Sequence, residues 1–226
     1  MIRAVFLDFG GTLATPLREV YPLFEEVLRA RHLPLDRRDF ERAFAEVDAR
    51  FGAFAETYLD HPAGVVDLYN ARNLEQLGIE DPRGEIVADL HEAFTSPRWH
   101  RPYPESDEVL RELDLRGVAL HLVSNNTELL PETLQKLGWV GRFASVTYSQ
   151  EAGAEKPDPR IFLLALERAK VSPREVVHVG DSWTADVVGA TQAGLRAIWL
   201  NREDDPPPGP CDTVRDLRGV VRLLAG

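Results

Sequence analysis

An aspartate at the end of an apolar segment near the N-terminus is the first side chain placed for chemistry. Asp8 follows the residues IRAVFL and precedes Gly10, Gly11 and Thr12. This pattern indicates a buried strand that enters a tight turn, with the carboxylate at the C-terminal edge of a sheet beside free backbone N–H groups. A nucleophile or a metal ligand fits that position, and so does an acid that only stabilises the turn.

Two further groups of polar side chains lie at the ends of apolar segments or at the start of a predicted helix. Ser124 and Asn125 come directly after residues 118–123, where hydroxyl and amide donors suit an oxyanion or a phosphoryl group, although an ordinary turn uses the same residue types. Lys156 is one of only three lysines in the chain and precedes Pro157 at the start of a predicted helix. A lysine in a loop is otherwise simply solvated.

The segment HVGDSWTAD supplies two more carboxylates after a predicted strand. Asp181 lies in the turn, and Asp186 lies about one to two turns into the following helix, from where it can point back. Together with Asp8, these side chains would present oxygen ligands to a hard divalent cation. Without Asp8, Asp186 would be an ordinary acid on a helix face, and His178 in the strand is interpreted as a core residue.

The elements that must position these side chains alternate along the second half of the chain. Apolar segments predict at least five strands, at residues 2–8, 118–123, 143–148, 175–179 and 195–200. Helical patterns lie between them, at about residues 107–115, 131–137, 158–170 and 183–193. The alternation predicts an open, doubly wound α/β fold with a parallel sheet, which binds ligands at the C-terminal ends of its strands.

One long segment interrupts this alternation, because residues 15–100 carry helix-like patterns and no convincing strand. We therefore expect residues 1–14 and 101–226 to form the α/β core, with 15–100 as an all-helical cap domain inserted after the turn of the first strand. Four prolines within residues 206–210 indicate a stiff surface connection, which is followed by a predicted final helix at 213–224.

Composition restricts the possible partners. The 226 residues include 37 acidic and 26 basic side chains, and the net charge of −11 disfavours nucleic acid and anionic lipid as partners. No apolar segment approaches the roughly 18 residues that span a bilayer, and the N-terminus lacks a secretory leader pattern, so we expect no membrane contact. The single cysteine, Cys211, fits a reducing, cytoplasmic compartment. We expect a monomer or a homodimer that acts on a small molecule.

Four short motifs stand in order along the predicted core: LDFGGTL, VSNN, EKPDP and GDSWTAD. Together they resemble the four signature motifs of the haloacid dehalogenase-like hydrolase superfamily, whose core is Rossmann-like. The resemblance extends from Asp8 to Asp186, and the helical insertion matches the α-helical cap of that family in position and character.

The resemblance implies roles for the residues that match the motifs. Asp8 would be the nucleophile that attacks phosphorus and forms an aspartyl-phosphate, which water then hydrolyses. Lys156 would neutralise negative charge on the nucleophile and on the phosphoryl group. Thr12 and Ser124 would bind phosphoryl oxygens, and Asn125 is grouped with them as a substrate-binding residue.

The resemblance also implies a magnesium site. Asp8, Asp181 and the backbone carbonyl of Gly10 would hold Mg²⁺, with Asp186 as a further ligand or a close neighbour. One position departs from the family pattern, because phosphatases of this superfamily normally carry DxDxT in the first motif, and Gly10 stands in place of the second aspartate. That aspartate usually protonates the leaving alcohol and then activates water, which is typically worth about 10² to 10⁴ in rate.

Several functions therefore stay open at this point. We expect a Mg²⁺-dependent phosphatase that acts on a small phosphorylated metabolite. A 2-haloacid dehalogenase is the main alternative, because it too lacks the second aspartate, and a catalytically weak binding or regulatory module is another. Phosphonate hydrolysis is set aside, since it needs a lysine in the cap and residues 15–100 contain none.

Overall fold

Two units divide the chain in the computed structural model, which describes residues 2–15, 20–51 and 64–224. One unit comprises Met1–Pro16 together with His100–Gly226, and the other comprises Leu17–Trp99. Within the described part of the chain, no helix is both long and apolar enough to cross a membrane.

The unit Leu17–Trp99 is helical in all of its regular described structure. Its helices are α1 (Tyr21–Ala30), α2 (Arg37–Phe51), α3 (Gly64–Gln76) and α4 (Glu85–Thr95). Apolar residues at helical spacing in α1 bury Leu23, Phe24 and Leu28 in the interior of this unit. Phe24 packs against Phe40 of α2 with ring centroids 5.3 Å apart, so the unit has a hydrophobic core of its own.

The other unit is built on a sheet of parallel strands. They are β1 (Ala4–Leu7), β2 (Ala119–Ser124), β3 (Ser145–Tyr148), β4 (Val176–Gly180), β5 (Arg196–Leu200) and β6 (Asp212–Val214). The order across the sheet is β3-β2-β1-β4-β5-β6, and every pair is parallel. The predicted doubly wound α/β fold is confirmed. The winding reverses between β1 and β4, which makes the C-terminal ends of these two strands the expected ligand-binding edge.

Helices of this unit cover both faces of the sheet. They are α5 (Ser106–Leu115), α6 (Leu130–Lys136), α7 (Ser149–Ala152), α8 (Pro159–Ala169), α9 (Gly189–Gln192) and α10 (Leu217–Leu223). Because side chains alternate along a strand, Val5 and Leu7 of β1 pack on the face that α5, α6 and α10 cover, whereas Ala4 and Phe6 pack on the face of α8 and α9. All four side chains are fully buried, which explains the continuous apolar sequence of β1.

Two sequence predictions in the last third of the chain are wrong in detail. A single helix was expected at 183–193, but the chain forms a π-helical segment at Trp183–Val188, which leads into the short α9. A final helix was expected to begin at 213, but residues 212–214 form β6, which pairs with β5, and α10 begins only at Leu217. The pairing of β6 with the edge of β5 supplies backbone hydrogen bonds that outweigh local helical preference.

Gly189 at the start of α9 is required for close packing. A Cβ atom at this position would lie 2.8 Å from the Cα atom of Pro157 and 2.9 Å from Cε2 of Phe162. Both neighbours are rigid, since one is backbone and the other is a fully buried ring. The close approach places α9 directly against the residue that follows Lys156.

Gly189→Ala should therefore destabilise the protein, although alanine is favoured over glycine in a helix by about 1 kcal/mol. Overpacking of a rigid core typically costs about 1–3 kcal/mol and outweighs that gain. Urea denaturation followed by circular dichroism measures the difference. Thr191→Ala on the exposed side of α9 is the matched control and should change the unfolding free energy by less than about 0.5 kcal/mol. Equal or greater stability of Gly189→Ala would show that the contact is not tight.

Candidate active site

Asp8 continues the line of β1 beyond its last paired residue. Its backbone N–H donates to the carbonyl oxygen of Val179 in β4 at 3.0 Å, so the residue is still anchored to the sheet. The side chain is buried and points into a cluster of charged groups. In the turn that follows, Gly10 pairs with Ala14 through a short parallel bridge.

Gly11 allows Asp181 to approach the turn that follows Asp8. Gly11 has φ +85°, and a Cβ atom there would lie 2.7 Å from Oδ1 of Asp181. The hydroxyl of the fully buried Thr12 donates to the same Oδ1 atom at 3.3 Å. On the other side of Asp181, its carbonyl oxygen accepts a hydrogen bond of 2.8 Å from the indole of Trp199. The turn after β1 and the turn after β4 are therefore in direct contact.

Lys156 brings two of the carboxylates together. Its Nζ atom lies 2.7 Å from Oδ1 of Asp8 and 2.5 Å from Oδ1 of Asp186, and all three side chains are almost completely buried. The peptide bond between Lys156 and Pro157 is cis. An ammonium group in this position offsets part of the free energy that it costs to bury the two carboxylates.

Asn125 holds the backbone of Lys156. The Oδ1 atom of Asn125 accepts from the Lys156 N–H at 2.7 Å, and the Nδ2 atom donates to the Lys156 carbonyl oxygen at 3.0 Å. The structure therefore gives Asn125 a positioning contact that the sequence did not predict, and its contact with substrate stays a prediction. Ser124 is buried at the end of β2, paired with Tyr148 of β3, and its role also stays a prediction.

Asp186 points back into the cluster from the π-helical segment, as its position in the sequence allowed. Its Oδ1 atom faces Lys156 and also lies 2.9 Å from Nε2 of His178, while its Oδ2 atom accepts from the backbone N–H of Ser182 at 2.9 Å. The carboxylate packs onto the α-carbon of Gly180, where a Cβ atom would lie 2.5 Å from the Asp186 Cβ. A π-helical turn at a functional site commonly re-aims one side chain in this way.

Burial and mutual charge shift the pKa values of the cluster. Burial raises the pKa of Asp8, although Lys156 opposes it. Burial, with the charges of Asp8 and Asp186, raises the pKa of Asp181 to about 6. Burial alone would lower the pKa of Lys156, but the two carboxylates outweigh it and keep the ammonium charged. Burial also opposes ionisation of Asp186, yet Lys156 and His178 hold its pKa well below the usual range.

The carboxylates of Asp8, Asp181 and Asp186 form a set that suits a hard cation. One oxygen from each lies within 4.8 Å of the others. The three acids face one ammonium group, so the fully ionised cluster has an excess of two negative charges, which a divalent ion would neutralise. Asp181 is the member that Lys156 does not pair with, and burial followed by the charges of Asp8 and Asp186 raises its pKa. Carboxylate oxygens are the ligands that Mg²⁺ and Ca²⁺ prefer.

The motif residues thus lie together at the C-terminal edge of the sheet. A comparison with family models identifies the family to which the chain belongs. A family model described as haloacid dehalogenase-like hydrolase matches residues 2–194. The chain belongs to this hydrolase family. The sequence resemblance drawn from the four motifs is therefore confirmed.

Relatives of this haloacid dehalogenase-like hydrolase include two named phosphatases. A phosphoserine phosphatase of Thermus thermophilus is 42% identical over 141 residues, which are 60% of this chain and 57% of that protein. A glyceraldehyde 3-phosphate phosphatase of Methanopyrus kandleri is 31% identical over 243 aligned residues, which cover 100% of this chain and 99% of that protein.

Solved structures similar to this hydrolase come from both phosphatases and dehalogenases. The structure of a phosphatase of the same family from Thermococcus onnurineus matches with a TM-score of 0.69 at 25% identity. A 2-haloacid dehalogenase from Pseudomonas syringae matches with a TM-score of 0.77 at 25% identity. Each match covers 100% of this chain and 99% of the other. The fold is therefore shared by enzymes of both kinds.

His178 is a contact of the site that sequence reasoning missed. The residue is fully buried, as expected for a core position, but its ring reaches Asp186, and its Nδ1 atom has no hydrogen-bond partner among the residues that the structure describes. The alternation along β4 could have revealed this contact, since His178 shares its face of the strand with the neighbouring Gly180 and Val176. A polar ring among apolar side chains needs a partner, and Asp186 is that partner.

Gly11→Ala should displace the carboxylate of Asp181, because a methyl group cannot fit beside it and φ +85° is unfavourable for alanine. The indole N–H of Trp199 reports on the Asp181 backbone by ¹⁵N NMR. Its resonance should shift, whereas that of Trp139, which donates to Asp107, should stay unchanged.

Gly117→Ala is the matched control for this substitution. Gly117 has a similar φ of +73° but nothing within 4 Å of a Cβ atom. It should therefore carry only the backbone cost of about 1–2 kcal/mol and leave Trp199 unaffected. Equal effects of the two substitutions on stability and on the Trp199 resonance would contradict the close approach of Asp181.

Proposed function

We propose that this hydrolase is a Mg²⁺-dependent phosphatase, which cleaves a small phosphorylated metabolite through an aspartyl-phosphate on Asp8. The observation that carries the proposal is the cluster of the buried Asp8 and Asp186, which pair with a single buried lysine, and the half-buried Asp181 beside them. Its excess of two negative charges suits a divalent cation that an incoming phosphoryl group would share. The names of the relatives from Thermus thermophilus and Methanopyrus kandleri support the same substrate class.

The residues that would hold Mg²⁺ are Asp8, Asp181, the carbonyl group of Gly10 and, as ligand or near neighbour, Asp186. When bound, the ion would draw electron density from the phosphoryl oxygens and lower the repulsion between the substrate and the nucleophile. Lys156 holds one oxygen of Asp8 at 2.7 Å and fixes the orientation of the carboxylate. The protein thereby supplies position and charge, which is most of what phosphoryl transfer requires.

The proposed reaction has two steps. A carboxylate oxygen of Asp8 attacks phosphorus, the bond from phosphorus to the leaving oxygen breaks, and the leaving oxygen keeps the electron pair and takes up a proton. Water then attacks phosphorus, loses a proton, and releases inorganic phosphate and the free Asp8 carboxylate. Thr12 and Ser124 would donate hydrogen bonds to the phosphoryl oxygens during both steps.

The glycine at position 10 determines which phosphate esters the enzyme would cleave fastest. With no carboxylic acid at this position, the leaving group must take its proton from water or from another residue. Substrates with acidic leaving groups need little help, whereas alkyl phosphates lose a factor of about 10² to 10⁴ in rate. Hydrolysis of the aspartyl-phosphate lacks its usual base for the same reason, so the intermediate should accumulate during turnover.

The dehalogenase alternative shares Asp8 as nucleophile and also needs no acid at Gly10. The structural similarity to the 2-haloacid dehalogenase of Pseudomonas syringae is the observation that supports this alternative. Asp181 favours the phosphatase, because a second acid beside Asp8 would repel the nucleophile of a metal-free enzyme, whereas it supplies a ligand in a metal-dependent one. A purely binding role would leave the buried Lys156–Asp8 pair without a chemical purpose.

The proposal extends to the organisation of the protein. Residues 15–100 would act as the helical cap domain of a core formed by residues 1–14 and 101–226. The enzyme would work in the cytoplasm on a small molecule, as a monomer or a homodimer, without nucleic acid or membrane partners.

Asp8→Asn should reduce hydrolysis of p-nitrophenyl phosphate by at least about 10³-fold, because the amide cannot act as the nucleophile. Activity of the wild type should require Mg²⁺ and disappear with EDTA. Asp114→Asn, at an exposed position near the end of α5, is the matched control and should retain full activity. Turnover by Asp8→Asn above about a thousandth of the wild-type rate would refute the nucleophile assignment, and turnover of 2-haloacids instead of phosphate esters would favour the dehalogenase.

Gly10→Asp should raise turnover of alkyl phosphates by about 10- to 1000-fold, since it supplies a general acid and base. The backbone conformation does not disfavour a side chain here, because Gly10 is not among the glycines with positive φ. Gly10→Asn is the control with similar size and no transferable proton. Single-turnover rates of the first step on alkyl and p-nitrophenyl phosphates separate the role of the general acid, and this rate should rise less for the p-nitrophenyl ester. An unchanged or lower alkyl phosphate rate would mean that another group already handles the proton.

A further inference from the structure

Arg202 lies two residues beyond the end of β5 and reaches back to the turn that follows Asp8. Its Nε atom donates to the carbonyl oxygen of Gly11 at 3.1 Å, and its Nη2 atom donates to the carbonyl oxygen of Thr12 at 2.8 Å. Its Nη1 atom donates to Oε1 of Glu105 at 2.8 Å. The guanidinium carbon lies 3.5 Å from the ring centroid of Tyr103. The side chain is 18% exposed, so the group is largely shielded from water.

The donors of Arg202 are directed at the backbone of the turn, which distinguishes this residue from an arginine that binds substrate. Three nitrogens contact three different acceptors, and the flat face of the group stacks on an aromatic ring. Only a rigid planar fork makes these contacts at once, because the lysine ammonium is a compact group without a planar face. The guanidinium therefore fixes two successive carbonyl groups of the turn.

The fixed carbonyl of Gly11 determines the direction of the next N–H group. A trans peptide unit is planar with its C=O and N–H opposed, so the contact with Arg202 orients the N–H of Thr12 away from the guanidinium. The N–H of Leu13 donates to the Phe9 carbonyl within the turn, whereas no described residue accepts from the N–H of Thr12. The side chain of Thr12 in turn contacts Asp181.

The other partners of Arg202 are anchored to the same turn. The backbone N–H of Tyr103 and the hydroxyl of Ser106 both donate to the carbonyl oxygen of Leu13, at 3.0 Å and 2.7 Å. Glu105 lies between them and is buried. The arginine, the segment Tyr103–Ser106 and the turn thus form a closed set of contacts within one unit.

We propose that Arg202 is a positioning residue, which holds the peptide groups of Gly11 and Thr12 in the orientation that phosphoryl transfer at Asp8 requires. This inference rests on the proposed function. It assigns Arg202 no direct contact with the substrate. A residue that only stabilises the fold would change the amount of folded enzyme, whereas a positioning residue changes the rate of each folded molecule.

Arg202→Ala should lower kcat for p-nitrophenyl phosphate by about 10- to 100-fold per folded molecule, with KM within about 3-fold of the wild-type value. Arg202→Lys should recover little, because an ammonium cannot bridge both carbonyl groups. Ethylguanidinium at millimolar concentration should restore part of kcat in Arg202→Ala, since it can occupy the stacking site on Tyr103. The folded fraction is measured by circular dichroism under assay conditions.

Arg215→Ala is the matched control, because Arg215 belongs to the same region and pairs only with the exposed Asp204 among the ion pairs described. It should keep wild-type kcat and show no response to ethylguanidinium. A kcat of Arg202→Ala within 2-fold of the control, or a loss that ethylguanidinium does not restore, would overturn the proposal. Should Arg202→Ala not fold, Glu105→Gln serves instead: a several-fold loss of kcat at unchanged KM supports the proposal, and unchanged kcat overturns it.

A readout without turnover separates this inference from the proposed function. The ¹⁵N resonance of the Thr12 amide should shift in Arg202→Ala and stay in place in Arg215→Ala. An unshifted Thr12 amide overturns the positioning role even where the wild type is an active phosphatase. A wild type without phosphatase activity refutes the proposed function, whatever the amide resonance does.

Discussion

The pairing of Lys156 with Asp8 and Asp186 is the interaction on which the edge of the sheet depends. An ammonium group and two carboxylates are buried together, and removal of one partner from such a group typically costs about 3–5 kcal/mol. Each member is held by further bonds, with the backbone of Lys156 bound to Asn125 and the carboxylate of Asp186 bound to His178. In the proposed mechanism, the side chains that stabilise this edge are therefore also those that do the chemistry.

Close approach of backbone segments brings the remaining groups to this pair. The strand order places the ends of β1 and β4 side by side, and two glycines remove the atoms that would keep their turns apart. Asp181 fills the space beside Gly11, and Asp186 fills the space beside Gly180. The result is three carboxylates within 4.8 Å, whose mutual repulsion is offset in part by Lys156 and contributes to the raised pKa of Asp181. Arg202 completes the edge by fixing the carbonyl groups of the first turn from the side of β5.

Much of this arrangement could be predicted from the sequence, because the apolar pattern of each strand locates its end, and parallel strands all end at the same edge of the sheet. Continuous apolar segments identified five of the six strands in the described part of the chain, and polar residues after them marked the shared edge. Contacts that depend on exact side-chain geometry could not be predicted, such as the two bonds between Asn125 and the Lys156 backbone. The strand β6 was missed since only pairing with its neighbour stabilises so short a segment. Arg202 was missed because its hydrogen bonds go to backbone carbonyl groups about 190 positions away in the chain, which no local sequence pattern marks.

Transfer of a phosphoryl group to Asp8 is the central claim, and chemical trapping tests it most directly. The enzyme is mixed with radiolabelled p-nitrophenyl phosphate and Mg²⁺, quenched in acid during turnover, and digested for peptide mapping. The account predicts one phosphoryl group on the peptide that contains Asp8, which hydroxylamine releases and which EDTA prevents, because Gly10 leaves the second step without its usual base. Turnover with no label on that peptide, or with label on another residue, would contradict the account.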